Sequence, residues 1–333
     1  MLLPSAARDF RRAVAVETRG ALVSVRRSWR RMSPEFDVSW EAVVGRSVLA
    51  ATVAAQDAVA AEAGRYVPRV LEQTGQRVAD LDWEPDPQAW GGTAGDGRSV
   101  QSLAYGGVAR AKQAVAAGAT THQALVAGGA WLTQALGTVI ADTARSAETT
   151  HAQGRRKTMY VRMLNPPSCG RCVILAGRSY HTAFERHPGC DCLSIPSSEN
   201  VAGDLLTDPR EYLDHLGDDE LAKALGSRAN AAAYREHGAD MNQLVNAYRA
   251  RWLGDGRHAG SVSKAQVYGR SVRYTTEGVT RRGWAGQSMR RAGYVQDSKG
   301  RLKTPRLMPE SIFDIAEDRA DAQRLLRLYG WVR

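Results

Sequence analysis

Residues 165–196 read NPPSCGRCVILAGRSYHTAFERHPGCDCLSIP. All four cysteines of the 333-residue chain fall inside this stretch, Cys169, Cys172, Cys190 and Cys192, with His181 and His187 between them. Cys169-x2-Cys172 sets two thiolates on one turn, the knuckle spacing that suits a tetrahedral zinc site. After fourteen intervening residues, His187-x2-Cys190-x-Cys192 supplies a second half-site. Zinc takes four ligands, and the window offers five in good positions (Cys169, Cys172, His187, Cys190 and Cys192), with His181 a sixth. The Cys169–Cys172 pair is the firmest; the other two ligands stay open among His187, Cys190 and Cys192. Pro166, Pro167, Pro188, Gly170 and Gly189 surround these positions, as expected where the chain must turn sharply to aim side chains inward. A structural zinc would hold together a piece too small to have its own core.

Two other chemistries compete for the same residues. Two disulfides would serve if the surroundings oxidise the pairs, although clustered cysteines in a reducing compartment more often bind metal. A Cys/His nucleophile beside Asp191 is the third possibility. Four crowded thiols fit metal binding better, and a zinc with every coordination position filled leaves no open site. Neither an HExxH helix nor an H-x-E…P-C-x-x-C order occurs. No residue is therefore assigned a catalytic role.

The hydrophobic fraction is 43%, but much of it is alanine and only four residues are Phe. Alanine favours helix and buries little area per residue, so thin helical packing is expected more than a thick core. The length leaves room for one large or two to three small domains. No run of eighteen apolar residues occurs, so no transmembrane helix and no membrane partner is expected. The N-terminal stretch MLLPSAARDFRRAVAVETRG is broken early by Arg8, Asp9, Arg11 and Arg12 and lacks the apolar run of a secretory signal. These features predict a soluble chain made in a reducing cytoplasm.

The net charge of +10 is unevenly spread. Between Arg249 and Arg306 stand fourteen basic residues against Asp255, Glu277 and Asp297, a local surplus of eleven that exceeds the net charge of the whole chain. A polyanion such as nucleic acid is the natural electrostatic partner of such a stretch; a solvated surface kept for solubility is the plain alternative.

Residues 1–153 read as a helical domain. ARDFRRAVAVETRGALVSVRRSWRRM carries Phe10, Val14, Leu22, Val25 and Trp29 at amphipathic spacing. The next helix has Ser39 as its expected N-cap and Gly75 as its terminator, with Pro68 expected to kink or end it early. A Pro/Gly/Asp-rich loop follows, then a helix that stops at Gly118. Thr120 and Gln123 form a capping box that opens another, in which Leu125, Leu132, Leu136 and Val139 lie near one face. Residues 154–198, with the β-prone pieces TMYVRML and CVILAG, form a small α+β zinc-knuckle module. Short helices are expected over 199–252, one of them with Asp208 as N-cap and Pro209 at its first position. Residues 253–306 are basic and read as extended or partly disordered, and 307–333 as a helical tail starting at Pro309. The fold class is mainly α: a long helical N-terminal region, the knuckle module and a C-terminal helical tail.

With these residues in hand, the chain resembles phage head-morphogenesis proteins of the MuF type. Their C-terminal signature runs Cys-x2-Cys-x4-Gly, then His-Pro-x-Cys-x-Cys and a closing Pro. The matching residues here are Cys169, Cys172, Gly177, His187, Pro188, Cys190, Cys192 and Pro196. Asp191 stands where that pattern usually has Arg, which removes any role of the arginine and leaves the ligands intact. DDELAKALGSRANAAA, RYTTEGVTRRGWAG and PRLMPESIFDIAEDRADAQRLLRLYGWV are similar to segments of minor capsid proteins from tailed phages of actinobacteria. The resemblance implies a structural, low-copy virion protein. It would be made in the host cytoplasm, act with portal, capsid and scaffold proteins in procapsid assembly, and stay inside the head, where packaged DNA becomes a candidate partner for Arg249–Arg306. Some relatives carry the label of capsid maturation protease, the competing enzyme class; the helical N-terminal half offers no strand-rich core and no Gly-x-Ser-x-Gly element for it. A DNA-binding internal head protein is the third class.

Overall fold

A computed structural model describes residues 4–181, 192–248, 262–267, 269–294 and 304–332. It is mainly helical with small sheets, and it divides into two compact units. One takes residues 4–161, 179–181 and 193–205; the other takes 162–178, 192 and the described residues from 206 onward.

The first unit is built on four long helices, α1 (Ser5–Trp29), α3 (Gly45–Gln73), α4 (Val100–Ala116) and α5 (Thr121–Gln153). A short α2 (Phe36–Ser39) and a π-helical turn (Trp40–Val44) lead into α3. Small residues set how closely these helices approach. Gly107 and Gly128 face each other where α4 crosses α5, and the Trp29 ring lies over both. Trp29 also donates its indole N–H to the Leu125 carbonyl at 2.9 Å. Leu132, Leu136 and Val139 are buried, as their spacing predicts, whereas Leu125, expected on the same face, is only half-buried. The loop after α3 is clamped from inside by buried Gln56. Its amide donates to the Thr93 carbonyl and to Thr143 Oγ1, both at 2.9 Å, and accepts from the Gly92 N–H at 3.0 Å.

The capping chemistry holds at α4 and α5: Ser99 caps α4, and Thr120 with Gln123 forms the capping box of α5. One expectation fails outright. Ser39 does not start a helix; it lies inside one, its hydroxyl bonded back to the Glu35 and Phe36 carbonyls at 3.1 and 3.2 Å. Of the two outcomes expected at Pro68, a kink or an early end, the early end does not occur: α3 runs on to Gln73. The cost of the missing hydrogen bond is outweighed by burial of Tyr66, Val67, Val70 and Leu71 around it. The segments Phe36–Gln73 and Thr121–Gln153 are each long and apolar enough to cross a membrane, judged by length and composition alone.

A three-stranded sheet of order β2–β1–β3 comprises β1 (Met159–Met163), β2 (Ser179–Tyr180) and β3 (Leu193–Ser197). Tyr160 lies opposite Tyr180 in the antiparallel β1–β2 pair. β3, the last part of the cysteine window, is tied to α3. Tyr66 stacks on Phe10, ring centroids 4.4 Å apart, and donates its hydroxyl to the Ser194 carbonyl at 2.7 Å. Gln76 donates to the Pro196 carbonyl at 3.0 Å and accepts from the Ser198 N–H at 3.2 Å. A short α7 (Glu199–Ala202) follows.

The second unit gathers α6 (Gly170–Ala176), α8 (Pro209–Asp214), α9 (Asp218–Leu225), α10 (Arg228–His237) and α11 (Met241–Asn246). Asp208 caps α8 through the Arg210 and Glu211 N–H groups, with Pro209 at the first position, as expected. The described residues of the basic stretch form regular elements that its weak periodicity does not announce. It holds the hairpin β4 (Val262–Val267) and β5 (Arg270–Thr275) and a helix α12 (Trp284–Arg291); residues 253–261, 268 and 295–303 lie outside the described residues. β6 (Arg306–Leu307) pairs with β5, and α13 (Pro309–Ile315) and α14 (Arg319–Leu328) close the unit. Arg306 is buried at 1% exposure. Its guanidinium lies 3.6 Å from the Trp331 ring centroid and donates to the Tyr329, Gly330 and Glu277 carbonyls and to Gln243 Oε1 at 2.8–3.1 Å. Burial pushes this guanidinium well below its ordinary value, to about 9.

Candidate metal centre

The knuckle half of the cysteine window belongs to the second unit. CVILAG, β-prone by composition, is helical: Cys169 takes the N-cap position of α6 with extended backbone, and its Sγ accepts the Cys172 N–H at 3.4 Å. The local hydrogen bond and the burial of Val173, Ile174 and Ala176 against the unit's core override the strand preference of Val and Ile. A cis peptide bond joins Pro166 to Pro167 just before the knuckle. Ser168 Oγ donates to the Asn165 carbonyl at 3.0 Å, and the Ser168 N–H reaches the Tyr212 hydroxyl at 3.4 Å, fixing the entry to the turn.

Gly170 and Gly177 are packing residues. A Cβ on Gly170 would lie 2.0 Å from the Ala224 carbonyl oxygen, so only glycine lets α6 start against the end of α9. A Cβ on Gly177 would meet the Pro209 ring at 3.0 Å. Arg171, between the two cysteines, is held by a 3.0 Å hydrogen bond from Nη1 to Asn246 Oδ1 on α11.

Of the five expected ligands, Cys169, Cys172 and Cys192 are described; His187 and Cys190 lie outside the described residues. Cys172 and Cys192 are both buried in one hydrophobic cluster, and Cys169 is half-buried against it. His181 is exposed at the end of β2. Among the described residues no three His, Cys, Asp or Glu side chains stand close enough together to hold a metal. A complete zinc site therefore requires ligands from residues 182–191 to join the Cys169–Cys172 pair. Sulfur donors on one turn, set in apolar surroundings, have the chemistry that a closed structural site uses.

Sequence reasoning missed Arg162. It sits in β1 at 2% exposure, and its Nη1 lies 3.6 Å from Cys172 Sγ. A guanidinium beside a sulfur offsets negative charge there, whether the sulfur is a bare thiolate or a metal-bound one. The signal was present: an arginine in the middle of the apolar run MYVRML is a buried charge that demands a reason.

The chain matches no family model, no curated protein and no solved structure.

Proposed function

We propose that the chain is a structural minor capsid protein of a tailed bacteriophage, of the MuF type. It would act in head morphogenesis at or near the portal and remain inside the virion, with one zinc ion bracing its C-terminal unit. The observation that carries this reading is the window of residues 165–196, where Cys169 and Cys172 share one turn and pack with Cys192 into one cluster. Zinc held there would tie the Cys169–Cys172 turn to the second half of the window and act as a fold clamp. Cys169 and Cys172 would be two ligands, with two more from His187, Cys190 and Cys192. Protein purified under reducing conditions is expected to carry about one zinc per chain by elemental analysis. Cys169→Ser and Cys172→Ser should each lose most of it. Absence of metal from the reduced wild-type chain would refute the clamp, and absence of the chain from purified particles would refute the capsid role.

One observation favours the DNA-binding reading as a second function of the same unit. Lys264 and Arg273 are cross-strand partners on the β4–β5 hairpin, and Lys264, Arg270, Arg273, Arg281 and Arg282 are all exposed. Charge reversal of Lys264 and Arg270 should weaken DNA binding and reduce its salt dependence; unchanged binding would leave these cations as a solubility feature.

A further inference from the structure

The end of the helical unit where α1 finishes and α5 begins carries an open groove of about 570 Å³. Its floor is apolar: Trp29, Met32, Leu125 and Val126, with Gly129 and Ala130 leaving the surface low between them. Val126 is 58% exposed, and Ala130 is also exposed, so this apolar strip faces solvent. Trp29 cannot swing to cover it, because its indole N–H is held by the Leu125 carbonyl and its ring is packed on Gly128 and Gly129.

One wall of the groove is cationic. Arg26 and Arg30 line it, and Arg27 and Arg31 stand beside them, all four exposed at the C-terminal end of α1. None has a carboxylate partner among the described residues, so four uncompensated cations stand side by side along the apolar floor. The helix dipole accounts for a preference for cations in a last turn, but not for an apolar trough running alongside them.

We propose that this groove binds an acidic amphipathic helix of a partner protein. The apolar face would lie on Leu125, Val126 and Ala130, and the carboxylates would meet Arg26 and Arg30. Three features favour this occupant. Glycine and alanine in the floor let a helix backbone come close, as helix-in-groove recognition requires. A recessed apolar floor offers nothing to a phosphate backbone, whose contacts are polar and charged. A concave trough does not present its apolar atoms to a flat lipid surface in the way a convex amphipathic face does. The inference does not depend on the capsid reading; if that reading also holds, the partner is an assembly protein bearing such a helix.

The test uses the full-length chain and fluorescence anisotropy. The probes are labelled 16-residue helical peptides with leucines at i, i+3, i+4 and i+7 and glutamates elsewhere, in several registers. The same peptides with lysine for glutamate, a 20-base-pair DNA duplex and vesicles with anionic headgroups complete the set. At least one acidic peptide is expected to bind, and the lysine peptides should not. Val126→Asp, at a position exposed enough to tolerate it, and the double variant Arg26→Ser/Arg30→Ser should each weaken peptide binding at least tenfold. The Arg pair should also flatten its salt dependence, while circular dichroism remains unchanged. No binding by any acidic peptide, or binding insensitive to Val126→Asp, would overturn the proposal. So would binding of DNA or vesicles that depends on Val126 while the peptides fail.

Discussion

The crossing of α4 and α5 makes a prediction whose sign can be worked from distances. Alanine in place of glycine inside a helix ordinarily stabilises by about 1 kcal/mol, because the chain loses less backbone freedom on folding. At Gly137 of α5 that gain should be realised, since the nearest atom to a new Cβ is Leu22 Cδ1 at 3.5 Å, an ordinary contact. Nine residues earlier in the same helix the outcome should reverse. A Cβ on Gly128 would stand 2.5 Å from the Gly107 carbonyl oxygen, 2.9 Å from Trp29 Cζ2 and 3.1 Å from Ala111 Cβ. The closest of these is backbone, so relief requires α4 to move away, opening the interface that buries Val108, Ala111 and Leu132. Overpacking of this kind costs about 1–3 kcal/mol and often more when backbone must shift. Net of the helix gain, Gly128→Ala should destabilise the helical unit by up to about 2 kcal/mol while Gly137→Ala stabilises it by up to about 1 kcal/mol. Urea denaturation followed by far-ultraviolet circular dichroism would resolve the difference. In melting temperature, the two variants should fall on opposite sides of the parent, each shifted by about 2–4 °C per kcal/mol. If both raise stability equally, the helices do not approach as closely as these distances state, and the account of α4–α5 packing is wrong.

Gly170→Ala should disrupt the second unit more severely, by upwards of about 3 kcal/mol, because its Cβ would run into the Ala224 carbonyl at 2.0 Å; limited proteolysis should show residues after 206 cut faster, and unchanged protection would refute it. His151 sets a pH dependence: burial, and next the neighbouring Arg155 charge, hold its imidazole below the ordinary 6.5. The unfolded chain then binds this proton more readily than the folded one, so the stability is complete above about pH 6.5 and declines as pH falls below it. Urea midpoints between pH 7 and 5 should fall with a slope that His151→Gln reduces, whatever that variant's absolute stability; an unaltered slope would assign the effect to other groups.

The parts of the fold that were readable from sequence are those set by local chemistry. The Thr120–Gln123 box, the Asp208–Pro209 start and the Leu132–Leu136–Val139 stripe each depend on neighbours within a turn or two. Expectations failed where distant contacts decide. Pro68 stays in its helix because the core holds Val67 and Val70. CVILAG becomes helix because Cys169 caps it and Val173 is needed inward. The β4–β5 hairpin was hidden by its composition: Val262, Ala265, Val272 and Tyr274 pack on the core, but exposed Lys264, Arg270 and Arg273 and the polar Ser263, Gln266 and Ser271 stand between them and break any regular apolar alternation. In the cysteine window, the knuckle pair could be read from spacing; upstream of it, Arg162 stands out in sequence as a charge inside an apolar run, but its partner does not, since ten residues separate it from Cys172 and only the fold brings them together.

The enclosure of Arg306 changes what the formal charge of this chain means to a polyanion. That guanidinium is spent on carbonyl oxygens and the face of Trp331, out of reach of any phosphate. Arg273 is partly committed as well, 3.7 Å from Glu310. A tally of basic letters between 249 and 306 therefore overstates the number of counterions that docking could release. The salt-sensitivity exponent measured with nucleic acid should count only outward-facing side chains, at about 0.9 per phosphate neutralised. Conversely, a substitution at Arg306 would register as a loosened carboxy-terminal fold while leaving that exponent where it was.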